Sequence, residues 1–283
     1  MKSVAFALSS IAFCAGPAAA QQAQPQPAAS SPAAVAYGLP LRGQEAEEFL
    51  RVGQVIKKKS IGTGITNPQQ LTLTDGTRTL KAAWKTIDKT KFGVTQFDRG
   101  GFEVNFRDTY KFEIAAYELD KLLGYELVPP TIERQIDGEK GSIQLWVEGV
   151  MTEWDRKAKK VSPPDFEAWN RQIYLVRLFH QLTYDTDYNN IRNVLVDPSF
   201  KVYAIDFSRA FRTHDKLLSE KDLARFSRSA LERLRSLDRA AVVEHLGPWL
   251  TTLEIDGLFK RRDRILALAE RRGSQEGERI YFP

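Results

Sequence analysis

The pattern of apolar residues changes once along this chain, and that change most limits the fold. Between residues 54 and 87, short β-rich runs are separated by turn signals such as Asp75-Gly76. Beyond Pro164 the apolar residues recur at helical spacing, and the last long helices are predicted at about 220–237 and 255–271. A β-rich first part followed by a helix-rich second part predicts an α+β fold of two lobes with a cleft between them.

Two further elements are predicted between these parts. Residues 108–123 have the spacing of a helix, with Gly124 as its C-cap. A second β pair is predicted at 131–135 and 142–148, with its turn at Asp137-Gly138. The predicted N-lobe therefore spans 38–148, and a mostly helical C-lobe spans 149–283.

The first residues predict export. Lys2, the apolar stretch 4–13 and the small residues 18–20 are typical of a secretory signal peptide, cleaved after residue 20. A membrane-spanning helix would need about 20 unbroken apolar residues, and a lipid anchor on Cys14 is disfavoured by the bulky residue before it. We therefore expect a periplasmic or secreted protein without a stable membrane anchor. Residues 21–37, rich in Gln, Pro, Ala and Ser, are predicted to form a disordered leader.

Composition excludes several functions. Cys14 is the only cysteine, so the cleaved protein would have no disulfide, thiol nucleophile or cysteine metal site. The formal net charge is +5, but the densest basic runs, 57–59 and 260–264, are typical of solvated faces. Aromatic residues are dispersed rather than interleaved with basic ones, so no nucleic-acid partner is expected. Metal-binding spacing is absent from the three histidines, His180, His214 and His245.

One short hairpin carries the most chemical information. Residues 194–196 and 202–205 are predicted to pair across a turn at 197–199, with Asn193 before the first strand and Asp206 after the second. Neighbouring strands lie about 4.8 Å apart, so an amide oxygen and a carboxylate would meet where one hard cation can bridge them. Taken alone, the pattern is more typical of ordinary turn residues.

The surrounding residues favour a phosphate site. The acidic loop 185–190 precedes the hairpin, and phosphoryl transfer needs metal ions together with a carboxylate that accepts the proton of the attacking hydroxyl. It also needs a cation on the phosphates. Lys85 is predicted to end a strand, and Glu113 on the next helix can pair with it. Because a lysine on an edge strand is usually only solvated, this assignment depends on the order of the elements.

That order resembles the protein-kinase-like superfamily: a Gly-containing hairpin, a strand lysine, a helix glutamate, a hinge, an Asp loop with Asn, and Asp-Phe-X. Residues 82–85 are loosely similar to its V-A-I-K motif, and residues 206–208 resemble D-F-G with Ser208 in place of Gly. The closer resemblance is to bacterial proteins related to phosphatidylinositol 3-/4-kinases, HipA-type toxin kinases and secreted Golgi-type kinases. It covers about 55–264, and the segments that carry it are 61–68, 110–119, 123–124, 128–129, 141–144 and 205–211.

The resemblance implies ATP as cofactor, with Mg²⁺ or Mn²⁺, and an unidentified hydroxyl acceptor on a protein, lipid, carbohydrate or small molecule. It also implies a role for each matching residue: Gly62 and Gly64 in the loop over the nucleotide, Lys85 on the α/β-phosphates, Glu113 orienting Lys85, Leu145, Trp146, Val147 and Glu148 as the adenine hinge, Asp187 as the base, and Asn193 and Asp206 as metal ligands.

The catalytic loop departs from the kinase pattern. Kinases place the metal-binding Asn five positions after the catalytic Asp, whereas Asp187 and Asn193 are six apart, so Asp185 with Asn190 is an alternative pair. The loop also lacks an Arg or His beside the Asp. Three functions of the same predicted fold therefore stay open: a phosphotransferase, a pseudokinase acting as a nucleotide-binding or scaffold protein, and a nucleotidyl transferase.

Overall fold

The computed structural model describes Met1 and residues 37–62, 68–96 and 102–283. The predicted signal peptide after Met1, the leader up to residue 36, and Gly64 lie outside the described residues. The chain divides into two compact units, Met1–Ala34 and Val35–Pro283, and the fold described below is that of the second.

The described residues form helices and strands in the following order. The α-helices are α1 (Gly43–Val52), α2 (Tyr110–Leu123), α3 (Glu153–Ala158), α4 (Phe166–Thr183), α5 (Arg228–Arg235), α6 (Arg239–Leu246) and α7 (Thr252–Glu276). The strands are β1 (Gln54–Ser60), β2 (Gln69–Thr74), β3 (Thr79–Lys85), β4 (Asp88–Gln96), β5 (Phe102–Thr109), β6 (Thr131–Ile136), β7 (Glu139–Leu145), β8 (Met151–Thr152), β9 (Val194–Val196), β10 (Val202–Ala204), β11 (Phe226–Ser227) and β12 (Tyr281–Phe282).

A five-stranded antiparallel sheet forms the β-rich lobe, in the order β1-β2-β3-β7-β6. β3 is its central strand, so Lys85 does not lie on an edge. The hairpin turn at Asp137-Gly138 is confirmed, because both residues have positive φ (54° and 85°), which a type I′ turn requires. The strands predicted between residues 54 and 87 are confirmed as β1, β2 and β3.

Helix α2 is confirmed and joins the sheet to the helical core. The side chain of Thr109 caps its first turn, and Gly124 ends it in the left-handed conformation (φ 60°). Its residues Phe112 and Leu119 are fully buried in the larger apolar cluster, which also includes residues of α4, α5, α7 and the β9–β10 hairpin. A smaller cluster lies between α1 and the sheet, and includes Phe49 and Leu71.

A hairpin that the sequence did not reveal lies between β3 and α2. Strands β4 and β5 pair antiparallel, from Asp88 opposite Thr109 to Gln96 opposite Phe102, and form a separate two-stranded sheet. The backbone N–H of Thr109 donates to the carbonyl of Ser208 (2.9 Å), which fixes the base of this hairpin beside the Asp-Phe-Ser segment.

The prediction of one helix over 220–237 is wrong. Only α5 is an α-helix there, because Phe226 and Ser227 pair with the C-terminal strand β12 and the Ser227 side chain caps α5 at Ala230. The other predicted helix, 255–271, is confirmed and extends over Thr252–Glu276. The small hairpin is also confirmed: β9 pairs with β10, and β8 adds a third strand. Within the described residues, no helix has the length and apolarity needed to cross a bilayer.

Candidate active site

Lys85 pairs with two carboxylates, one on α2 and one directly after the β9–β10 hairpin. Its Nζ atom lies 2.5 Å from Oε1 of Glu113 and 2.7 Å from Oδ1 of Asp206. The side chain of Lys85 is 14% exposed and that of Glu113 only 2%, whereas that of Asp206 is 39% exposed. The second oxygen of Glu113 accepts a 3.0 Å hydrogen bond from the backbone N–H of Phe207. The strand, the helix and the Asp-Phe-Ser segment therefore meet at one buried ammonium group.

The charges of this cluster are strongly coupled. Burial raises the pKa of Glu113, although Lys85 opposes that rise. The positive charge of Lys85 holds the pKa of Asp206 below its usual range. Burial alone would lower the pKa of Lys85, but the carboxylates of Asp206 and Glu113 raise it above the ordinary value. Lys85 is therefore a permanent cation at neutral pH.

The open end of the small hairpin places Asn193 beside the strand that leads to Asp206. Ile205 donates its backbone N–H to the carbonyl of Asn193 (2.9 Å), one step beyond the β9–β10 pairing. Asp206 itself has a positive φ of 67°, a conformation that is uncommon outside glycine. Ser208 has no positive φ, so its backbone does not require the glycine of the D-F-G pattern.

Asp187 lies in the loop before this hairpin and is held by two asparagines. Its Oδ2 atom accepts hydrogen bonds from Nδ2 of Asn190 (3.0 Å) and from Nδ2 of Asn193 (3.1 Å). Burial raises the pKa of Asp187, and the negative charges of Asp185 and Asp206 raise it further. The two asparagine amides thus orient a half-buried carboxylate. A cation bound nearby would stabilise the negative charge of that carboxylate.

Asp185 occupies a different environment. It is fully buried, its Oδ1 accepts the backbone N–H of Asp187 (3.0 Å), and its Oδ2 lies 2.9 Å from Nδ1 of His180. The ring of His180 stacks on that of Phe207, with centroids 5.5 Å apart. Asp185 therefore holds the loop from its buried side, whereas the carboxylate of Asp187 is accessible to solvent. No sequence pattern predicts this contact between His180 and Asp185.

The segment between Asp187 and β9 contains a short helical turn. Residues Ile191–Asn193 form one 3-10 turn directly before β9. The position before Asp187 is Thr186, whose backbone N–H and Oγ1 both donate to the carbonyl of Arg209 (3.4 and 3.2 Å). The loop and the segment after Asp206 are thus joined without the Arg or His that kinases place there.

The predicted glycine loop connects β1 and β2. Gly62 lies in this loop with a positive φ of 70° and is exposed, whereas Gly64 is outside the described residues. The loop is at the Lys85 end of the sheet, because Gln69 at the start of β2 pairs with Trp84.

The predicted hinge follows β7. Leu145 pairs with Ala82 on β3, and the backbone N–H of Trp146 donates to the carbonyl of Lys81 (3.0 Å). Glu148 exchanges two backbone hydrogen bonds with Gly38, each 2.9 Å long. Between them, the backbone N–H and C=O of Val147 make no hydrogen bond to any described residue. The structure thus leaves one donor and one acceptor of the segment available.

The side-chain oxygen atoms of Asn193 and Asp206 suit a hard metal ion that also keeps water or phosphate oxygens as ligands. Nδ2 of Asn193 is used by Asp187, and its Oδ1 has no partner among the described residues. Asp206 adds a half-exposed carboxylate. No group of three His, Cys, Asp or Glu side chains in the described residues could hold a metal by itself. This donor set fits Mg²⁺ or Mn²⁺, which retain water and bind phosphate oxygens as well.

Comparison with solved structures decides the fold. Hydra Fam20, solved with sugar, has a TM-score of 0.60 at 13% identity, with 83% of this chain and 90% of that chain covered. The Golgi casein kinase has a TM-score of 0.58 at 15% identity, covering 83% and 77%. The Helicobacter pylori proinflammatory kinase CtkA has a TM-score of 0.52 at 9% identity, covering 80% and 98%. The chain has a protein-kinase-like fold.

This kinase-like fold confirms the architecture predicted from the order of the motifs: a β-rich lobe and a mostly helical lobe with a β-hairpin. No protein-family model and no curated protein matches the chain. The predicted relation to particular bacterial kinase groups therefore stays a prediction, as do the roles assigned to individual residues and the lobe boundary at 148. Lys85 contacts Glu113 and Asp206, and Asn193 donates a hydrogen bond to Asp187.

Proposed function

We propose that this chain is a phosphotransferase that uses ATP with Mg²⁺ or Mn²⁺ to phosphorylate a hydroxyl group. The observation that carries the proposal is the position of Lys85, held by Glu113 from one element and Asp206 from another, at the loop end of a central strand. A phosphate-binding lysine needs a fixed direction and a charge that persists at neutral pH, and both are present here.

Each residue near Lys85 then has a defined task. Glu113 holds the lysine through one oxygen and the backbone of Phe207 through the other, so it fixes the direction of the ammonium group. Lys85 binds the α/β-phosphates. Gly62 and Gly64 belong to the loop that would cover them, and the free backbone groups of Val147 would bind the adenine edge within the 145–148 hinge.

Asn193 and Asp206 would hold the metal ion. When bound, the ion supplies positive charge that neutralises the phosphate oxygens during transfer. Asn193 is fixed for this task because its amide nitrogen is committed to Asp187, which leaves its oxygen for the ion. The exposed part of the Asp206 carboxylate is the second protein ligand.

Asp187 is the proposed base. Its Oδ2 is occupied by the two asparagine amides, and its Oδ1 has no partner among the described residues, so that oxygen can accept the proton of the acceptor hydroxyl. Asp185 is unsuited to this role because it is fully buried and both of its oxygens face protein groups. We therefore propose Asp187 with Asn193 rather than Asp185 with Asn190.

The acceptor is proposed only as a hydroxyl. Two of the structural neighbours direct the first trials, since one was solved with a sugar and another carries the name of a casein kinase. The signal-peptide pattern of residues 1–20 supports an exported protein, for which carbohydrate and protein hydroxyls are both within reach. Export is itself part of the proposal, and a fractionation of expressing cells tests it.

The test is label transfer from γ-labelled ATP by the purified protein without residues 1–20, offered casein-like peptides and simple glycosides in Mg²⁺ or Mn²⁺. We expect transfer, or at least autophosphorylation, that is lost in Asp187→Asn and retained in Asp137→Asn, a matched change in an exposed turn. Intact-mass measurement of the product separates phosphoryl from nucleotidyl transfer. Binding of nucleotide without any transfer, unaffected by Asp187→Asn, would refute the proposal in favour of a pseudokinase.

A further inference from the structure

Hydrogen bonds join the end of α4 and the loop after it to the segment that follows β10. The backbone N–H of Phe211 donates to the carbonyl of Thr183 (2.6 Å). The backbone N–H and Oγ1 of Thr186 donate to the carbonyl of Arg209 (3.4 and 3.2 Å). Since position 183 is opposite 211 and position 186 is opposite 209, the two segments run antiparallel to each other.

This antiparallel arrangement brings two proposed functional carboxylates to the same end of the paired segments. Asp187 directly follows Thr186, and Asp206 lies three positions before Arg209. The negative charge of Asp206 acts on Asp187, as expected for neighbouring groups. The position of the proposed base relative to the proposed metal ligand therefore depends on how firmly the two segments are joined.

Arg261 on α7 joins the same two segments at their other end. Its Nε atom donates to the carbonyl of Leu182 (2.8 Å), and its Nη1 atom donates to the carbonyls of Arg212 (2.8 Å) and His214 (2.5 Å). Positions 182 and 212 are the next pair in the same antiparallel order. The guanidinium group therefore bridges two carbonyls that cannot bond to each other.

The environment of Arg261 makes this bridge costly. The residue is fully buried, and no carboxylate among the described residues pairs with it. Its Nη2 atom has no hydrogen-bonding partner in the same part of the chain. A buried cation without a counter-charge destabilises a fold, so an apolar side chain would fill this space better. What the arginine adds is a fixed position for three backbone carbonyls.

Gly257, about one turn before Arg261 on α7, allows the segment to approach the helix. A Cβ atom at position 257 would lie 2.9 Å from Nη1 of Arg261 and 3.0 Å from the carbonyl oxygen of Arg212. A backbone oxygen cannot move aside as the end of a side chain can. The glycine and the arginine are thus two separate features of α7 that serve the same contact.

We propose that Arg261 is a positioning residue for phosphoryl transfer, which fixes the Asp187 loop relative to the segment that carries Asp206. Because Arg261 is fully buried, it acts through the backbone and not by contact with substrate. Tyr184 and Phe211, beside the paired residues, have positive φ (51° and 52°), a strained conformation that persists only where surrounding contacts hold it. The kinetic part of this inference rests on the proposed function, whereas the link between the segments does not.

The first measurement is amide hydrogen exchange of the nucleotide-free protein, which needs no activity. It follows the backbone N–H groups of Thr186 and Phe211, with the amides of β3 as the reference for global unfolding. In Arg261→Met both groups should exchange at least tenfold faster, relative to β3, than in the wild-type protein. Arg271→Met, which removes an exposed arginine from the same helix, should leave their exchange unaltered.

Gly257→Ala keeps the arginine and raises the helix propensity of α7, so it tests the contact without weakening the helix. Its methyl group should displace the segment from α7, and the N–H groups of Thr186 and Phe211 should again exchange at least tenfold faster. A role in helix stability alone would not produce this result.

The second measurement is the transfer assay with γ-labelled ATP, normalised to folded protein. In Arg261→Met and Gly257→Ala, kcat should fall at least tenfold, because the base and the metal ligand are no longer held together. The Kd for Mn²⁺-ATP should change by less than threefold, since neither Lys85 nor the 145–148 hinge is bonded to α7.

Exchange at the wild-type rate in Arg261→Met, or in Gly257→Ala should the first variant fail to fold, would overturn the inference. A kcat within threefold of the wild-type value would overturn it as well. Equal losses of kcat and of ATP affinity would assign Arg261 to the maintenance of the whole site instead of to positioning, and so would also contradict it. A wild-type protein without transfer would refute the proposed function, and the exchange rates alone would then decide whether Arg261 joins the two segments.

Discussion

The side-chain amide of Asn193 donates a 3.1 Å hydrogen bond to Oδ2 of Asp187, six positions earlier in the chain. This one contact links the proposed metal ligand to the proposed base, because the orientation of one side chain sets that of the other. Asn190 donates to the same oxygen at 3.0 Å but lies on the far side of the 3-10 turn from β9. Both asparagines therefore orient Asp187 by a hydrogen bond, but only Asn193 is proposed to bind the metal ion.

That difference gives the first prediction. Asn193→Ala should lower the affinity for Mg²⁺- or Mn²⁺-ATP by at least tenfold, because it removes a metal ligand as well as a hydrogen bond. Asn190→Ala is the matched control, since it removes only the hydrogen bond, and it should change metal-dependent affinity by less than threefold. Titration with a fluorescent ATP analogue, with and without metal, measures both. Equal losses in the two variants would show that Asn193 does not bind the ion.

The second prediction concerns Lys85. Lys85→Met leaves two carboxylates, Glu113 and Asp206, without their shared cation in a largely buried site. Breaking a buried pair in this way costs about 3 kcal/mol, so the free energy of unfolding in urea should fall by that order near pH 8. The loss should be smaller near pH 5, where Glu113, whose pKa burial already raises, can take up a proton.

Nucleotide binding separates the two tasks of Lys85. Lys85→Met should abolish detectable ATP binding, whereas Lys81→Met, a matched change on the same strand to an exposed lysine, should retain it. Lys81 pairs with Glu148 on the surface, where an ion pair contributes little to stability. Normal ATP affinity in Lys85→Met would contradict the assignment of this lysine to the phosphates.

The third prediction is a pH profile. Burial, Asp185 and Asp206 raise the pKa of Asp187 above that of an ordinary aspartate. A base acts in its ionised form, so transfer activity should fall as the pH falls through this raised value, and the acid limb should lie above the usual aspartate range. Measurement of kcat/KM between about pH 4 and pH 8 tests this. Activity that is constant down to pH 4 would exclude a base with a raised pKa.

The fourth prediction concerns stability and Asp120. With a pKa of about 7 in the folded protein and an ordinary value near 4 in the unfolded chain, the folded state binds more protons between those values. The free energy of unfolding therefore decreases as the pH rises through this window, by roughly 3 kcal/mol from pH 5 to pH 8. Asp120→Asn, which cannot ionise, should lack this part of the decrease.

Urea unfolding at the two pH values measures the effect, and Glu244→Gln serves as the control for removal of one acidic charge at the surface. The difference between pH 5 and pH 8 should be smaller in Asp120→Asn than in the wild-type protein, and unchanged in Glu244→Gln. An Asp120→Asn variant with the full wild-type pH dependence would show that Asp120 ionises normally in the folded state.

The order of elements was readable from the sequence because each boundary carries a local signal. The Asp137-Gly138 turn needs two positive φ values, Gly124 ends α2 in the left-handed region, and a short alternating pattern marks β9 and β10. Such signals depend on neighbouring residues alone. They were sufficient to predict an α+β, kinase-like architecture.

Other parts of the fold depend on distant partners. The region predicted as one helix over 220–237 is interrupted because Phe226 and Ser227 pair with the C-terminal strand, more than 50 positions later. The β4–β5 hairpin forms its own sheet, and its base is fixed by Ser208. Neither partner can be inferred from the residues that adjoin these segments.

In the candidate site too, some features follow from local sequence motifs and others depend on residues far apart in the chain. Lys85, Glu113 and Asp206 were identified by motif, although 28 and 121 positions separate the lysine from its two partners. The choice between Asp187 and Asp185 could not be made from spacing, because it depends on which carboxylate is buried beneath the loop. The contact between His180 and Asp185 joins the end of α4 to that loop, and nothing in the sequence distinguishes His180 from a histidine that only packs.

The central claim is that Asn193 and Asp206 hold a metal ion on a nucleotide that Lys85 binds from the other side. A crystal soaked with a non-hydrolysable ATP analogue and Mn²⁺ tests it most directly, because anomalous scattering locates the ion independently of the protein atoms. The account predicts an anomalous peak about 2.2 Å from Oδ1 of Asn193 and from a carboxylate oxygen of Asp206, with phosphate oxygens completing the shell. A nucleotide bound away from Lys85, or an ion that contacts neither side chain, would contradict it.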